Sequence, residues 1–416
     1  MKFAIHSFDQ NGNSHYHEYD NITQSILATN KLIPVFLDND PRTQHLVVKS
    51  GYRREKKARF DNVRIQLGLK CNFSCKYCHQ HLDQKMAEER FSDVDALVHQ
   101  LVDSFIENKV ECEKFTFWGG EPLVYWKILV KLIPLLHDAF PQSSMSLCTN
   151  GSLFTLDKAE FLAKYNVHIA ISHDGPTFNV YRDDKNPLED PNIVKAIQYY
   201  YDNVDHGVLF NVVITPDNCD LFEVRRYITE KVQREVDVNI ESIVRCDRWT
   251  KPIIKQFDKH ASKKLFDSLF AISTHRHDQF SRQISQVSNV VRAIVRQDAA
   301  DKRKYYCSSG NETFLAVDLF GNVLTCHDAS VKTHNIGHIS DLDNIDRESK
   351  LTSWLERDKC TKCPYVVACR GGCPKTVEGI DHDIACENLK LYYSIIFASA
   401  WYRIFNTMIT SIRPIE

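Results

Sequence analysis

The stretch Gly68-Leu-Lys-Cys71-Asn-Phe-Ser-Cys75-Lys-Tyr-Cys78-His79 closes the β-rich run Arg64–Leu69 and sets how the rest of the chain is read. Its cysteines stand in a C-x3-C-x2-C pattern, with Tyr77 just before the last of them. Three thiolates this close together can hold three irons of a [4Fe–4S] cluster and leave the fourth without a protein ligand. An open iron lets a cluster bind and reduce a small molecule instead of only relaying electrons.

Outward from this stretch, short β-rich runs alternate with amphipathic helical stretches as far as Ile243. The runs are Arg64–Leu69, Lys114–Trp118, Met145–Cys148, Val167–Ser172, Val208–Thr215 and Val236–Ile243. Between the first two, Ser92 can cap a helix whose apolar residues Val94, Leu97, Val98, Leu101, Val102, Phe105 and Ile106 fall on one face. Ile128 to Leu136 marks a second helix, and three more begin near Asp157, Asp190 and Asn218. Repeated β-then-α order predicts parallel strands joined by right-handed crossovers. The expected fold is α/β, a partial (β/α)6 TIM-type barrel over residues 61–247 whose strand C-terminal ends meet at one mouth. Periodicity alone leaves a doubly wound open sheet as the alternative.

The strand ends carry polar punctuation. The second run ends in Phe117-Trp-Gly119-Gly120-Glu121-Pro122, the third in Thr149-Asn150-Gly151, and the fourth in Ser172-His-Asp174-Gly-Pro176. Each alone is an ordinary turn signal. In this order behind a C-x3-C-x2-C triad they resemble the radical S-adenosylmethionine (radical SAM) enzymes. The resemblance implies that Cys71, Cys75 and Cys78 hold a [4Fe–4S] cluster and that SAM chelates its open iron. It further implies that Gly119, Gly120, Glu121 and Pro122 receive the SAM amino group. Asn150, Ser172 and Asp174 then lie near the methionyl and ribose groups, and Tyr77 near the adenine. Some relatives follow Asp-Gly-Pro with a His-Asp pair and then an arginine. Here the chain reads Thr177-Phe-Asn-Val-Tyr-Arg182-Asp183, where Arg182 corresponds to the arginine and the histidine has no counterpart. No arginine is assigned to the SAM carboxylate.

Seven of the fourteen cysteines follow residue 300. Cys307 precedes a G-x4-C segment ending at Cys326; a C-x2-C-x5-C-x3-C run then comprises Cys360, Cys363, Cys369 and Cys373, and Cys386 comes last. In isolation this pattern reads as structural zinc. Behind a radical SAM barrel it resembles the SPASM extension, which implies two auxiliary [4Fe–4S] clusters and three clusters in all. Cys360, Cys363, Cys369 and Cys386 correspond to a fully ligated distal site. Cys307, Cys326 and Cys373 supply only three ligands to a proximal one, leaving an open iron, an exogenous ligand, or Asp298 or Asp301 as the fourth. Sulfatase maturases of this family place a catalytic aspartate directly after the cysteine matching Cys326. Here His327 stands there and Asp328 follows, so these two are the candidate proton acceptors. Cys112, Cys148, Cys219 and Cys246 are scattered singly and read as small buried hydrophobes.

The remaining segments are less specific. Residues 1–60 read as a small α+β appendage, with short strands at Phe3–Phe8, His15–Tyr19, Pro34–Leu37 and His45–Lys49 around a helix near Ile22–Asn30. Such an appendage serves as a barrel cap or adds a peptide strand at a sheet edge. Residues 248–304 read as a helical linker. From Arg248 to Lys304 thirteen Lys/Arg face five Asp and no Glu, which makes either a solvated face or a docking surface for an acidic peptide. Residues 305–390 form the SPASM segment, and 391–416 a closing C-terminal helix.

A net charge of −2 gives the whole chain no electrostatic case for binding nucleic acid or membrane. No apolar run approaches a bilayer span, and Met1-Lys-Phe-Ala-Ile-His6 lacks a signal-peptide core, so the expected compartment is the cytoplasm. The resemblance implies a peptide maturase that cross-links side chains of a ribosomally made precursor, with a flavodoxin or ferredoxin as electron donor. Anaerobic sulfatase maturation is the second reading, and a zinc-binding scaffold the non-enzymatic one.

Overall fold

The computed structural model describes residues 1–28, 59–78, 80, 91–242, 256–348, 350–375 and 380–415. At the N-terminus, β1 (Lys2–Phe8), β2 (Ser14–Asp20) and β3 (Ile26–Ala28) form an antiparallel meander. Alternation buries Phe3, Ile5 and Tyr19 on one face. The helix expected near Ile22–Asn30 is absent from the described part of that stretch, where β3 stands. Tyr19 and Gln24, joined by a 2.9 Å hydrogen bond, tie a turn in its place. Pro34–Leu37 and His45–Lys49 lie outside the described residues.

The central sheet confirms the alternating reading closely. Its parallel strands are β4 (Asn62–Gln66), β5 (Lys114–Trp118), β6 (Ser144–Thr149), β7 (His168–Ser172), β8 (Val208–Ile214) and β9 (Asp237–Ser242). They pair strictly in chain order, each parallel to the next. A doubly wound sheet reverses direction partway, and this order has no reversal. The sheet then continues past β4 through β10 (Phe314–Asp318), parallel to it, and antiparallel β11 (Asn322–Leu324) and β12 (Asn335–His338). The cysteine-rich segment thus shares a sheet with the first strand of the parallel set.

Helices α1 (Val94–Glu107), α2 (Trp126–Ala139), α3 (Leu156–Lys164), α4 (Pro191–Asn203) and α5 (Leu221–Val232) fill the crossovers. Asp93, not Ser92, caps α1: its carboxylate accepts from the Ala96 amide at 3.0 Å. Two longer helices, α6 (Lys259–His275) and α7 (Ser281–Arg296), occupy the basic stretch, and α8 (Ile380–Phe405) packs against both. The aromatic stripe of α8 is core, with Tyr393, Phe397 and Trp401 buried. Two expectations change here. The helix begins before residue 391, and the chain does not end as a helix. It finishes in β13 (Met408–Pro414), antiparallel to β1, so that both ends of the described chain share one sheet. The β-branched run Met408-Ile-Thr-Ser-Ile412 suits a strand better than a helix.

Among the described residues no helix is long and apolar enough to cross a membrane. Trp401 is fully buried, edge-on to His17 at 5.0 Å and donating to Thr407 Oγ1 at 3.1 Å. It therefore fastens α8 to β2 and to the entry of β13. Trp401→Ala is expected to cost about 3–5 kcal/mol of unfolding free energy, measured by urea denaturation followed by circular dichroism. A loss below about 1 kcal/mol would mean that the two sheet ends do not depend on this contact.

Candidate active site

The cysteine loop leaves β4 and is fixed from below by the glycine pair at the end of β5. The Gly120 amide donates to Gly68 O at 3.0 Å and the Glu121 amide to Lys70 O at 2.9 Å. A Cβ at Gly119 would lie 2.4 Å from Gly68 O, and one at Gly120 would lie 2.4 Å from both Leu69 O and Lys70 O. Glycine is thus demanded by approach to the cysteine loop itself, a stronger requirement than contact with a ligand.

Glu121 is buried, and its carboxylate accepts from the Leu123 amide at 2.9 Å, Thr149 Oγ1 at 2.6 Å and the Asn150 amide at 2.6 Å. It caps the short turn Pro122–Tyr125 and ties the ends of β5 and β6 together. Burial raises its pKa to about 6 against these stabilising hydrogen bonds. The carboxylate expected to meet an amino group is therefore occupied internally, and the geometry gives it a positioning task. Asn150 extends the tie: its Nδ2 donates to Asn72 Oδ1 at 2.9 Å, next to Cys71.

Asp174, at the end of β7, is fully buried and also satisfied internally. Its oxygens accept from Tyr77 Oη at 2.5 Å, Arg182 Nε and Nη2 at 2.9 and 3.0 Å, and the Val213 amide at 3.0 Å. Arg182 also lies 5.4 Å from the centre of the Tyr77 ring. These contacts pin Tyr77, and with it the Cys75–Cys78 turn, to the ends of β7 and β8. Arg182 has the buried Asp174 as its partner and is fixed with it. Ser172 stands apart, with its hydroxyl 3.7 Å from Cys148 Sγ.

Burial pushes the Cys71 and Cys78 thiols up to about 12 and raises Cys75, so free thiols in this loop are protonated at neutral pH. Each of the three also feels the charge of a neighbour in the triad or beside it, and Asp328 is among those acting on Cys78. Three soft sulfur donors carried on one short loop, free of disulfides, fit an iron–sulfur cluster.

A cavity of about 760 Å³ opens within the sheet. Alternate residues of all six parallel strands line it, among them Asn62, Arg64, Thr116, Trp118, Ser146, Asn211, Asn239 and Glu241. Cys307, Cys326 and Cys373 lie on its wall with His327 and Asp328. The Cys326, His327 and Asp328 ligand atoms come within 4.8 Å of one another. Trp118 Nε1 donates to Asp328 Oδ1 at 2.7 Å and meets the His327 ring edge-on at 4.4 Å. Arg64 Nη1 lies 2.8 Å from His327 Nδ1 and 2.7 Å from Nε2, while Gln66 donates to His327 O at 2.7 Å. Arg64, Gln66 and Trp118 were not singled out from the sequence. Their signal was there: strands of a sheet covered on both faces should be apolar throughout, yet β4 and β5 carry Arg64, Gln66, Lys114 and Thr116.

The C-terminal cysteines act on one another in two sets. Cys369 feels Cys363, Cys386 and Cys360, which brings those four together. Cys326 feels Cys373. Asp298 and Asp301 are exposed and do not line the cavity, and Asp298 faces Lys302 at 4.0 Å.

Two outcomes follow from this geometry. Gly120→Ala displaces the cysteine loop and should lower SAM cleavage by about 100-fold, measured as 5′-deoxyadenosine released; wild-type cleavage would sink the close-approach argument. Arg182→Met leaves Asp174 buried without its cation and should cost about 3–5 kcal/mol. Adding Asp174→Asn should restore part of that loss in a denaturation double-mutant cycle, and strict additivity would show that the pair is not coupled.

Residues 65–224 match the family model of the radical SAM superfamily. The chain is 21% identical over 358 residues to radical SAM cyclopropyl synthase TigE of Paramaledivibacter caminithermalis, covering 79% of this chain and 72% of that one. It is 23% identical over 354 residues to a serine-type anaerobic sulfatase-maturating enzyme of Bacteroides thetaiotaomicron, covering 74% and 81%. Its fold is similar to that of native anSMEcpe with bound AdoMet, at a TM-score of 0.60 and 18% identity, covering 82% of this chain and 98% of that one. The same protein has been solved with AdoMet and the Cp18Cys peptide, at a TM-score of 0.58. With its cysteine triad, its Gly-Gly-Glu-Pro segment and this match, the chain carries a radical SAM domain over residues 65–224 and is similar along most of its length to radical SAM maturases.

Proposed function

We propose that the protein oxidatively cross-links side chains of a ribosomally synthesised precursor peptide. The observation that carries this reading is the shared cavity. Inward residues of six parallel strands and three C-terminal cysteines, Cys307, Cys326 and Cys373, line one chamber. A substrate held there lies against this sulfur-rich wall, and Asp328 on the same wall also acts on Cys78 of the radical-generating triad. Removal of a hydrogen atom followed by loss of one more electron is the balance of a cross-link, and the second electron needs a nearby acceptor. We read residues 61–247 as a partial barrel, 248–304 as a helical linker and 305–390 as a SPASM segment.

Cys71, Cys75 and Cys78 would hold the SAM-binding cluster, which together with SAM supplies a 5′-deoxyadenosyl radical by reductive cleavage of the sulfonium. Cys360, Cys363, Cys369 and Cys386 would hold a distal auxiliary cluster; Cys307, Cys326 and Cys373 would hold a proximal one. The chain's own residues do the rest. Gly119 and Gly120 seat the cysteine loop, Glu121 and Asn150 brace it, and Asp174 with Arg182 holds Tyr77. Asn62, Thr116, Ser146, Asn211 and Asn239 offer hydrogen bonds to a peptide backbone. His327 and Asp328, 3.4 Å apart, are the groups able to accept the proton lost in the second oxidation. Reduction would come from a flavodoxin- or ferredoxin-type donor.

Sulfatase maturation is favoured by one specific observation. Asp328, although one residue later than the aspartate of those enzymes, has a carboxylate on the same cavity wall as Cys326. An all-zinc scaffold leaves the radical SAM match over residues 65–224 without a reason.

Anaerobic reconstitution should yield about twelve irons per chain, four for each of three clusters; a value near four would remove both auxiliary clusters. Loading should release protons and strengthen as pH rises, because burial raises Cys71, Cys78 and Cys326 to about 12 and iron must displace those protons. Co-expression with a small peptide encoded beside the gene should give a product lighter by two hydrogens per cross-link in mass spectrometry. Formylglycine in a co-expressed sulfatase, with the peptide unchanged, would reverse the order of the two readings.

A further inference from the structure

The basic stretch 248–304 is partly neutralised within the fold. Arg282 pairs with Glu241, Lys304 lies 3.1 Å from Glu348, and Lys302 lies 4.0 Å from Asp298. Arg292 donates to Asn289 Oδ1 at 2.5 Å. Arg303 differs. Among the described residues its guanidinium makes no hydrogen bond or ion pair, and neither does that of Arg370 in the C-terminal cysteine run. Both arginines line the cavity that carries Cys307, Cys326 and Cys373.

The two residues are joined through Trp354: Arg303 O accepts from Trp354 Nε1 at 2.9 Å, and a Cβ at Gly371, next to Arg370, would lie 2.8 Å from Trp354 Cβ. Arg370 also occupies a left-handed backbone position, φ +47°, at the end of the turn Val366–Cys369, where glycine would be cheaper. The carboxylates of the cavity are already engaged, Glu241 by Arg282 and Asp328 by Trp118. Two guanidinium groups that line one cavity without a carboxylate partner match a carboxylate from outside, which arginine binds through paired N–H donors.

We infer that Arg303 and Arg370 form a carboxylate-binding subsite for the substrate, which anchors an acidic side chain or the C-terminus of a peptide within the reaction cavity. This rests on the peptide reading of the function. It also gives the excess of positive charge between residues 248 and 304 a specific recipient.

The test uses the full chain, anaerobically reconstituted, and two immobilised libraries of random peptides, one with free and one with amidated C-termini. Retained peptides should be rich in Asp and Glu in the amidated library if the carboxylate is a side chain. Preference for the free library alone assigns it to the C-terminus. In both cases the Arg303→Gln/Arg370→Gln double variant should lose the preference by about tenfold or more, the worth of one charge-assisted hydrogen bond. Phenylglyoxal labelling of the wild type gives a second readout independent of folding of the variant. Arg303 and Arg370 should be protected by a retained acidic peptide and not by its Asn/Gln counterpart.

An acidic preference that survives both substitutions overturns the subsite, and so does labelling indifferent to peptide. A double variant that changes only the EPR signals of the iron–sulfur clusters also overturns it, since the arginines would then serve the clusters. Peptides retained without acidic preference sink the subsite alone. Retention of no peptide from either library sinks the peptide reading and the subsite together.

Discussion

The site depends first on a backbone contact. Gly119 and Gly120 approach the carbonyls of Gly68, Leu69 and Lys70 so closely that a single Cβ would collide with them. The amides of Gly120 and Glu121 donate into the same carbonyls. The cysteine loop is therefore shaped by the end of the neighbouring strand, and its own Asn72 and Tyr77 side chains hold it further. Around this contact two buried carboxylates act as clasps, Glu121 for the ends of β5 and β6, and Asp174 for Tyr77 and Arg182. Both are saturated by internal donors, and their cost of burial is offset by the bonds they accept.

The second constraint is the polar interior of the parallel sheet. A parallel sheet normally buries apolar side chains on both faces, and here one alternation of every parallel strand instead contributes to an amphiphilic cavity. Because β10 continues the sheet beside β4, the segment bearing Cys307 and Cys326 is brought against that cavity without a flexible tether. The cavity wall carries Cys307, Cys326 and Cys373, and Asp328 on that wall acts on Cys78 of the triad far away in sequence. This arrangement suits an oxidation in which a substrate radical must lose a further electron nearby.

Much of the fold was legible from the chain. The six parallel runs were found within a few residues because alternating β-rich and amphipathic stretches leave strong periodic signals. The cysteine triad was legible because three thiols at fixed spacing, in a setting that disfavours disulfides, suit a metal cluster and little else. The N-terminal β3 and the terminal β13 were missed, since short edge strands take their conformation from a partner that local sequence does not specify. Asp298 and Asp301 were considered near the proximal cysteines from their position in sequence, and the fold keeps them at the surface. Glu121 and Asp174 were read as ligand contacts; in the fold both are buried and accept hydrogen bonds from neighbouring strand ends, which the sequence did not foretell.

The sequence by itself determined the chemistry. Donor type and spacing at Cys71, Cys75 and Cys78, with glycines at the next strand end, carry the resemblance to radical SAM enzymes that the family match over residues 65–224 bears out, because those properties are local. Only the tertiary structure decided what the chemistry faces. Whether Arg64, Trp118, His327 and Asp328 share a wall, and whether Arg303 and Arg370 line the same cavity, depends on strand order, on burial and on which carboxylates are already paired. Those are long-range properties, and a one-dimensional pattern does not carry them.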